Sequence, residues 1–307
     1  MRRMIKILGG IVLVLLLAGG ALLLAIRNNG PAVLDAVDRI AGGKRDVVLV
    51  EKARYGDAAK QKVRVYRQGK AGEPIPVFLF VHGGSWRWGD PDDYGFVARA
   101  MAPEGYLVVL AAYRLGESGR YPAMLEDTAA AIAWTRANAA RLGGDPDRIV
   151  LAGHSAGAYN VVQVALEPKW LAARGVPEAS IRGVVGLAGP YDFFPFDSDS
   201  TKASFGSVGA GAESQPVNHS RAGAPPMLLV HGEEDTLVKP RNTRALAAAL
   251  EAKGAKVETL FYPDADHNAP LIWLAAPWRD RRDVAARISR FAREATAVSV
   301  PVQAGKP

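Results

Sequence analysis

Gly153-His154-Ser155-Ala156-Gly157 spells a G-x-S-x-G. About one 300-residue chain in ten would carry that pattern by chance at average composition, so its setting must supply the weight. RIVLAG before it reads as a strand, and SAGAYNVVQVAL after it as a helix. A sharp strand-to-helix turn holds its serine in a strained conformation and needs small residues at positions 153 and 157. It also lifts the hydroxyl above the C-terminal edge of a sheet, at a helix N-terminus that favours developing negative charge. Ser155 is therefore a candidate nucleophile. The plain alternative is a glycine-rich turn with a capping serine.

A serine hydroxyl needs a base, and the base needs an orienting acid. The chain has five histidines. His82 belongs to a glycine motif, and His154 adjoins the serine and should point elsewhere. His219 lies in a polar irregular stretch, and His231 ends a strand, where structural duties are expected. His267 follows the last strand, VETLFY, in a loop on the same sheet edge as Ser155, so it is the candidate base. The loop HGEEDTLVKP offers Glu233, Glu234 and Asp235; the third can reach back toward His267. Asp264 and Asp266 are read as solvated turn acids, and no further ligand cluster accompanies them to suggest a metal.

Attack on a carbonyl creates an oxyanion that needs donors. VFLFVHGGSWRWGD, residues 77–90, runs a buried strand into two glycines and two tryptophans. Gly83 and Gly84 can present bare backbone N–H groups, and Ala156 N–H, one residue past the serine, supplies another. Trp86 and Trp88, with Phe193 and Phe194, are candidate pocket or core residues.

These residues need a scaffold. DVVLVEKARY and KVRVYR read as antiparallel strands. PVFLFV and YLVVLAAY read as strands buried on both faces, with a helix over residues 91–103 between them. Pro122 opens a long helix ending near Gly143. IRGVVGLAG, MLLVHG and VETLFY are further strands; TRALAAALEAKG and RRDVAARISRFAREA are helices. From Pro76 the alternation implies parallel strands with crossover helices. The tail, 297–307, reads as disordered.

On these motifs the chain resembles α/β-hydrolases of the carboxylesterase group: hormone-sensitive-lipase-like esterases, BD-FAE feruloyl-esterase-like hydrolases and kynurenine formamidases. The resemblance rests on HGGSWRWGD (82–90), residues 113–149, GHSAGA (153–158), GPYD (189–192), HGEEDTLVKP (231–240) and DHNAP (266–270). It implies an α/β-hydrolase domain over 46–296, with a mostly parallel central sheet and helices on both faces. The segment at about 193–222, long for a loop, is read from its length as a small lid or acyl-pocket wall. The resemblance matches Ser155, Asp235 and His267 to the triad, Gly83, Gly84 and Ala156 to the oxyanion hole, and Tyr113 and Asp127 to supporting positions. Ser85 stands where many hormone-sensitive-lipase relatives have a third glycine, and His154 where they have Asp, which points to the BD-FAE and formamidase branch. The expected substrate is a small-molecule carboxylic ester with a small or medium acyl group, without metal or organic cofactor. An amide or formamide hydrolase on the same site, and a non-catalytic binding or scaffold protein, are the rival readings.

Composition bounds the rest. At 307 residues and 49% apolar, one domain can bury a large core. Lys plus Arg number 38 against 31 acids. Arg2, Arg3, Lys6 and Arg27 flank the N-terminal apolar run, so the remainder carries 34 cations against 31 acids, with no basic stripe for nucleic acid. Without cysteine there are no disulfides, thiolate metal sites or lipidated cysteine. Residues 7–26 contain no charge and span ~30 Å at ~1.5 Å per residue. Segment 1–27 is therefore expected to be a membrane anchor, with 28–45 a linker containing a short helical piece. The charges place the N-terminus in the cytoplasm and the domain on the exported side of a bacterial-type membrane. A cleaved signal followed by secretion is the alternative.

Overall fold

In the computed structural model, which describes residues 2–42, 46–70, 72–206 and 211–297, the chain opens with helix α1 (Arg2–Ile40). Two antiparallel strands follow, β1 (Val47–Arg54) and β2 (Lys62–Gln68), then β3 (Ile75–Val81). The helix expected over 91–103 is α2 (Gly95–Met101), flanked by short 3-10 turns at Pro91–Asp93 and Ala102–Glu104. Next come β4 (Leu107–Ala111), α3 (Ala123–Ala139), β5 (Gly144–His154), α4 (Ala156–Leu166), α5 (Lys169–Ala172) and β6 (Ile181–Leu187). The chain closes with α6 (Asp199–Phe205), β7 (Met227–Gly232), α7 (Arg241–Glu251), β8 (Val257–Tyr262), α8 (Ala269–Ile272) and α9 (Val284–Thr296). Of the tail expected to be disordered, residues 298–307 lie outside the described residues.

Eight strands form one sheet in the order β1-β2-β4-β3-β5-β6-β7-β8. Strand β2 is antiparallel to β1 and β4, and from β4 to β8 every neighbouring pair is parallel. Stepping from β3 to β4 on one side and then back past β3 to β5 on the other puts helices on opposite faces. The run PVFLFV shows why its apolar character is continuous. Val77, Leu79 and Val81 join the core on the α3 and α4 face, while Phe78 and Phe80 join the core on the α2 and α9 face. Each such side chain contributes about 1.5–3 kcal/mol on burial. Helix α9 docks through Val284, Ile288, Phe291 and Ala292, one helical stripe. Edge strand β1 carries a register shift between Leu49 and Glu51. The architecture is the α/β-hydrolase fold.

Segment 28–45, expected as a linker with a short helical piece, is helical through Ile40 and packed on the domain. Helix α1 is two helices merged across a break at Asn29 (φ −152°, ψ 76°). Asn29 caps the second one: its Oδ1 accepts from Ala32 N at 3.2 Å, and Pro31 sits in the first turn. Leu34 enters the core beside Phe78 and Phe96. Asp35 and Asp38 are buried and both pair with Arg99 of α2. Asp38 also accepts from Ala276 N at 2.7 Å and from Arg279 at 3.2 Å. The stretch Val14–Ile40, which includes the break, is long and apolar enough by length and composition to cross a membrane, and before the break Val14, Leu15, Leu16, Leu17, Leu23 and Leu24 are exposed.

Candidate active site

Ser155 sits between β5 and α4 at φ 54°, ψ −121°, a left-handed conformation that strains any residue with a Cβ. Its N–H donates to Leu187 O at 2.8 Å, which fixes the turn against β6. The two flanking glycines are required by contact. A Cβ on Gly153 would lie 2.4 Å from the Gly157 backbone, and one on Gly157 would lie 2.1 Å from Val81 O. The hydroxyl stands at the C-terminal edge of the sheet.

His267, in the loop after β8, places Nε2 2.9 Å from Ser155 Oγ. Its Nδ1 is 2.7 Å from Asp235 Oδ2. Asp235 lies in the loop after β7 and is held on both oxygens: Oδ1 accepts from Leu237 N at 2.9 Å and Val238 N at 2.8 Å. Burial alone would raise its titration, but hydrogen bonds from His231 and His267 outweigh it and hold the carboxyl well below its ordinary value. The structure thus brings all three expected residues together. Glu233 instead pairs with Arg244, Asp264 pairs with Arg282, and Asp266 caps Asn268 N and Ala269 N.

Two further histidines support this arrangement, one of them, His231, in the structural capacity its place at a strand end suggests. His231, fully buried, has Nδ1 2.8 Å from Thr243 Oγ1 and Nε2 3.1 Å from Asp235 Oδ2. His154 turns away from Ser155 as expected, and its Nε2 lies 3.0 Å from His267 O, so it grips the backbone of the base. Burial first, then the nearby His267, lowers the His154 pKa to about 3, so it stays neutral and donates this bond. The signal for both was their place at strand ends beside the site, but only the folded contacts give the partner. His219 is remote from these groups, bonded to Glu213 O at 2.7 Å.

The glycine loop after β3 abuts the serine. A Cβ on Gly83 would meet His154 O at 2.9 Å and Ser155 Cβ at 3.3 Å. Gly84 has φ +114°, and a Cβ there would lie 2.0 Å from Trp88 O. Burial and nearby Asp93 push the Tyr94 hydroxyl up, against a hydrogen bond from the Gly83 backbone that favours its ionised form. Ala156 N–H belongs to the first turn of α4, whose donors the helix itself leaves free. The loop is braced by His82, whose Nδ1–H donates to Gly83 O at 2.7 Å and whose ring stacks on Tyr113. Burial lowers the His82 pKa to about 4. Asp127 accepts from Arg114 N at 2.8 Å and Gln61 Nε2 at 2.7 Å, holding the strand ends nearby.

The four aromatic pocket candidates divide in two. Trp86 and Phe193 are buried in a cluster with Tyr159 and Phe205, and Trp86 Nε1 donates to Asn160 Oδ1 at 3.1 Å. They join the lid segment to α4. Trp88 and Phe194 are exposed at 60% and 51%. Left-handed Ser85 and Trp86 (φ 52° and 57°) turn the loop so that one tryptophan faces in and the other out. A cleft of about 430 Å³ opens between Arg87, Arg120 and the α6 residues Asp199 and Ala203; Ser155 does not line it.

The BD-FAE family model matches residues 63–250. Esterase LipC of Mycobacterium tuberculosis is 28% identical over 257 residues, 76% of this chain and 63% of that protein. Esterase LipQ of the same organism is 30% identical over 237 residues, 72% of this chain and 55% of that one. The chain therefore spans roughly three-fifths of the length of these curated relatives. Among solved structures, esterase B from Lactobacillus rhamnosis superposes with a TM-score of 0.71 at 20% identity, covering 90% of this chain and 96% of that one. A carbohydrate esterase from gut microbiota gives 0.68 at 17% identity, covering 81% and 96%. These likenesses carry the fold, and the family match spans the strands that bear Ser155 and Asp235: the chain belongs to the BD-FAE family of α/β-hydrolases.

Proposed function

We propose that this chain is a serine carboxylic ester hydrolase. The observation that carries the reading is the continuous bond line from Ser155 Oγ through His267 to Asp235, at 2.9 and 2.7 Å. His267 Nε2 takes the Ser155 proton as Oγ attacks the ester carbonyl. Asp235 holds Nδ1–H and stabilises the imidazolium. Backbone N–H groups of Gly83, Gly84 and Ala156 serve as donors to the oxyanion, an assignment supported by the approach of the Gly83 position to Ser155. His267 then protonates the leaving alcohol, and a water activated the same way releases the acyl group. The esterase names of the curated relatives support ester rather than amide substrates. The short lid segment supports small or medium acyl groups. Segment 1–27 serves as an anchor, with the domain on the exported side.

Hydrolysis of a p-nitrophenyl ester series from acetate to dodecanoate tests this. Ser155→Ala should lower kcat by about 10⁴ or more with the unfolding midpoint preserved, and Asp235→Asn should lower kcat by about 10⁴. Equal turnover by wild type and Ser155→Ala would remove the nucleophile assignment.

A further inference from the structure

We infer that the sheet edge carrying Ser155 faces the bilayer, and that the substrate is the carboxylic ester of a bilayer-resident amphiphile. The inference rests on the ester-hydrolase reading and adds the direction from which substrate arrives.

The direction follows from where the anchor joins the domain. Strands β3 to β8 are parallel, so their C-terminal ends share one edge, and Ser155, Asp235 and His267 all follow strand ends there. Asp93 lies between the end of β3 and the start of α2, on that same edge. Asn29 Nδ2 donates to Asp93 Oδ2 at 2.9 Å. Neighbouring Asp92 pairs with Lys62 and Arg64 at the start of β2, which runs beside the end of β4 (Val63 opposite Ala111). From Asn29 the capped helix descends along α2, reaching Arg99 through Asp35 and Asp38. The chain then enters β1 at Val47, opposite Gln68 at the far end of β2. The docked helix therefore runs from the Ser155 edge toward the opposite edge. The apolar segment before it leaves from the Ser155 edge, and its residues from Val14 to Ile26 do not fold back on the domain.

The join has almost no slack. Two residues separate Ile26, the last of the uncharged run, from the docked Asn29, three steps or about 4.5 Å along a helix. The Asp93 corner must then sit at the membrane surface. A separate observation agrees. Outside α1 and strand β1, the exposed large apolar side chains among the described residues are Trp88, Phe194 and Leu237, at 60%, 51% and 68%. They come from the loops after β3, β6 and β7, three points around Ser155 on one edge. Tryptophan at such a position suits the interfacial layer, where an amphipathic ring is favoured. An amphiphile in the bilayer would present its ester group at the depth these side chains reach.

The absence of native cysteine makes the test direct. Full-length chain is reconstituted into phosphatidylcholine–phosphatidylglycerol vesicles with one cysteine at the Ser155 edge, Leu237→Cys, or at the opposite edge, Lys253→Cys. Each carries an environment-sensitive fluorophore, and the unfolding midpoint of each checks the fold. Brominated lipids should quench the probe at 237 several-fold more than the probe at 253. Equal or reversed quenching overturns the orientation. In parallel, acid release is followed from vesicle-borne hexadecyl butyrate and ethyl palmitate, and from aqueous p-nitrophenyl butyrate. Turnover of either vesicle-borne ester at tenfold or more above its rate with the chain in detergent solution supports the proposal. Turnover of the aqueous ester alone overturns it while leaving the hydrolase reading intact; turnover of none, with folded protein, removes both.

Discussion

Gly84 shows how narrow the tolerance is at single residues. Its φ of +114° and the 2.0 Å gap between a hypothetical Cβ and Trp88 O mean that alanine cannot enter without moving the loop. Gly84→Ala should destabilise the protein by about 1–3 kcal/mol and lower kcat at least tenfold, read by urea unfolding and by p-nitrophenyl butyrate turnover. An unchanged kcat would mean the loop does not shape the site. The three residues of the proposed triad, which the structure brings within hydrogen-bond distance, were legible because few types can do this chemistry and each stood after a readable strand. His154 and His231 were not, since their work lies in bonds to His267 O and Asp235 made across the fold. Nor could spacing separate Trp86 from Trp88; two consecutive left-handed residues decide which faces the core.

At the scale of elements, the least legible feature was the docking of the second half of α1. Asp35 and Asp38 look like one solvated helical face in sequence. Their partners, Arg99 and Arg279, lie far along the chain, and no local pattern announces them. The buried strands, by contrast, were readable because both faces of the sheet are covered, which makes their apolar runs continuous. Removing the Asp38 carboxylate leaves two guanidinium groups and Ala276 N short of a partner. Asp38→Ala should therefore cost about 3–5 kcal/mol. Limited proteolysis should then cut near residues 28–45 in the variant while sparing the native chain. Equal resistance in the two would show that apolar packing through Leu34 suffices to hold the helix.

For the molecule as a whole, acid is the vulnerable side. The folded state keeps His82 and His154 neutral, with pKa values of about 4 and about 3, below the 6.5 of an unperturbed histidine. Between pH 6.5 and about 4 the unfolded chain binds protons that the native state refuses. Stability is thus complete above pH 6.5 and falls as the pH drops through that window, at up to about 1.4 kcal/mol per unit for each histidine. Asp235, held below its ordinary value, adds a further loss below the usual carboxylate range. Urea midpoints of the detergent-solubilised chain, taken from pH 8 to pH 4, should be level above about 7 and decline below it. A level profile down to pH 4 would show that both rings take up protons in the native state as readily as in the unfolded chain.

The register shift in β1 has a consequence for neighbouring copies. β1 borders the sheet, and Val48 and Leu49 on it are partly exposed. A straight border strand of this kind is a template for strand addition by another chain. Molecules confined to a plane by the proposed anchor would meet side by side far more often than molecules in bulk solution. The bulge between Leu49 and Glu51 interrupts the row of backbone donors and acceptors, and Glu51, Lys52 and Arg54 put charge along what is left. The irregularity works as a guard against fibre-like stacking, at the border where crowding would otherwise favour it.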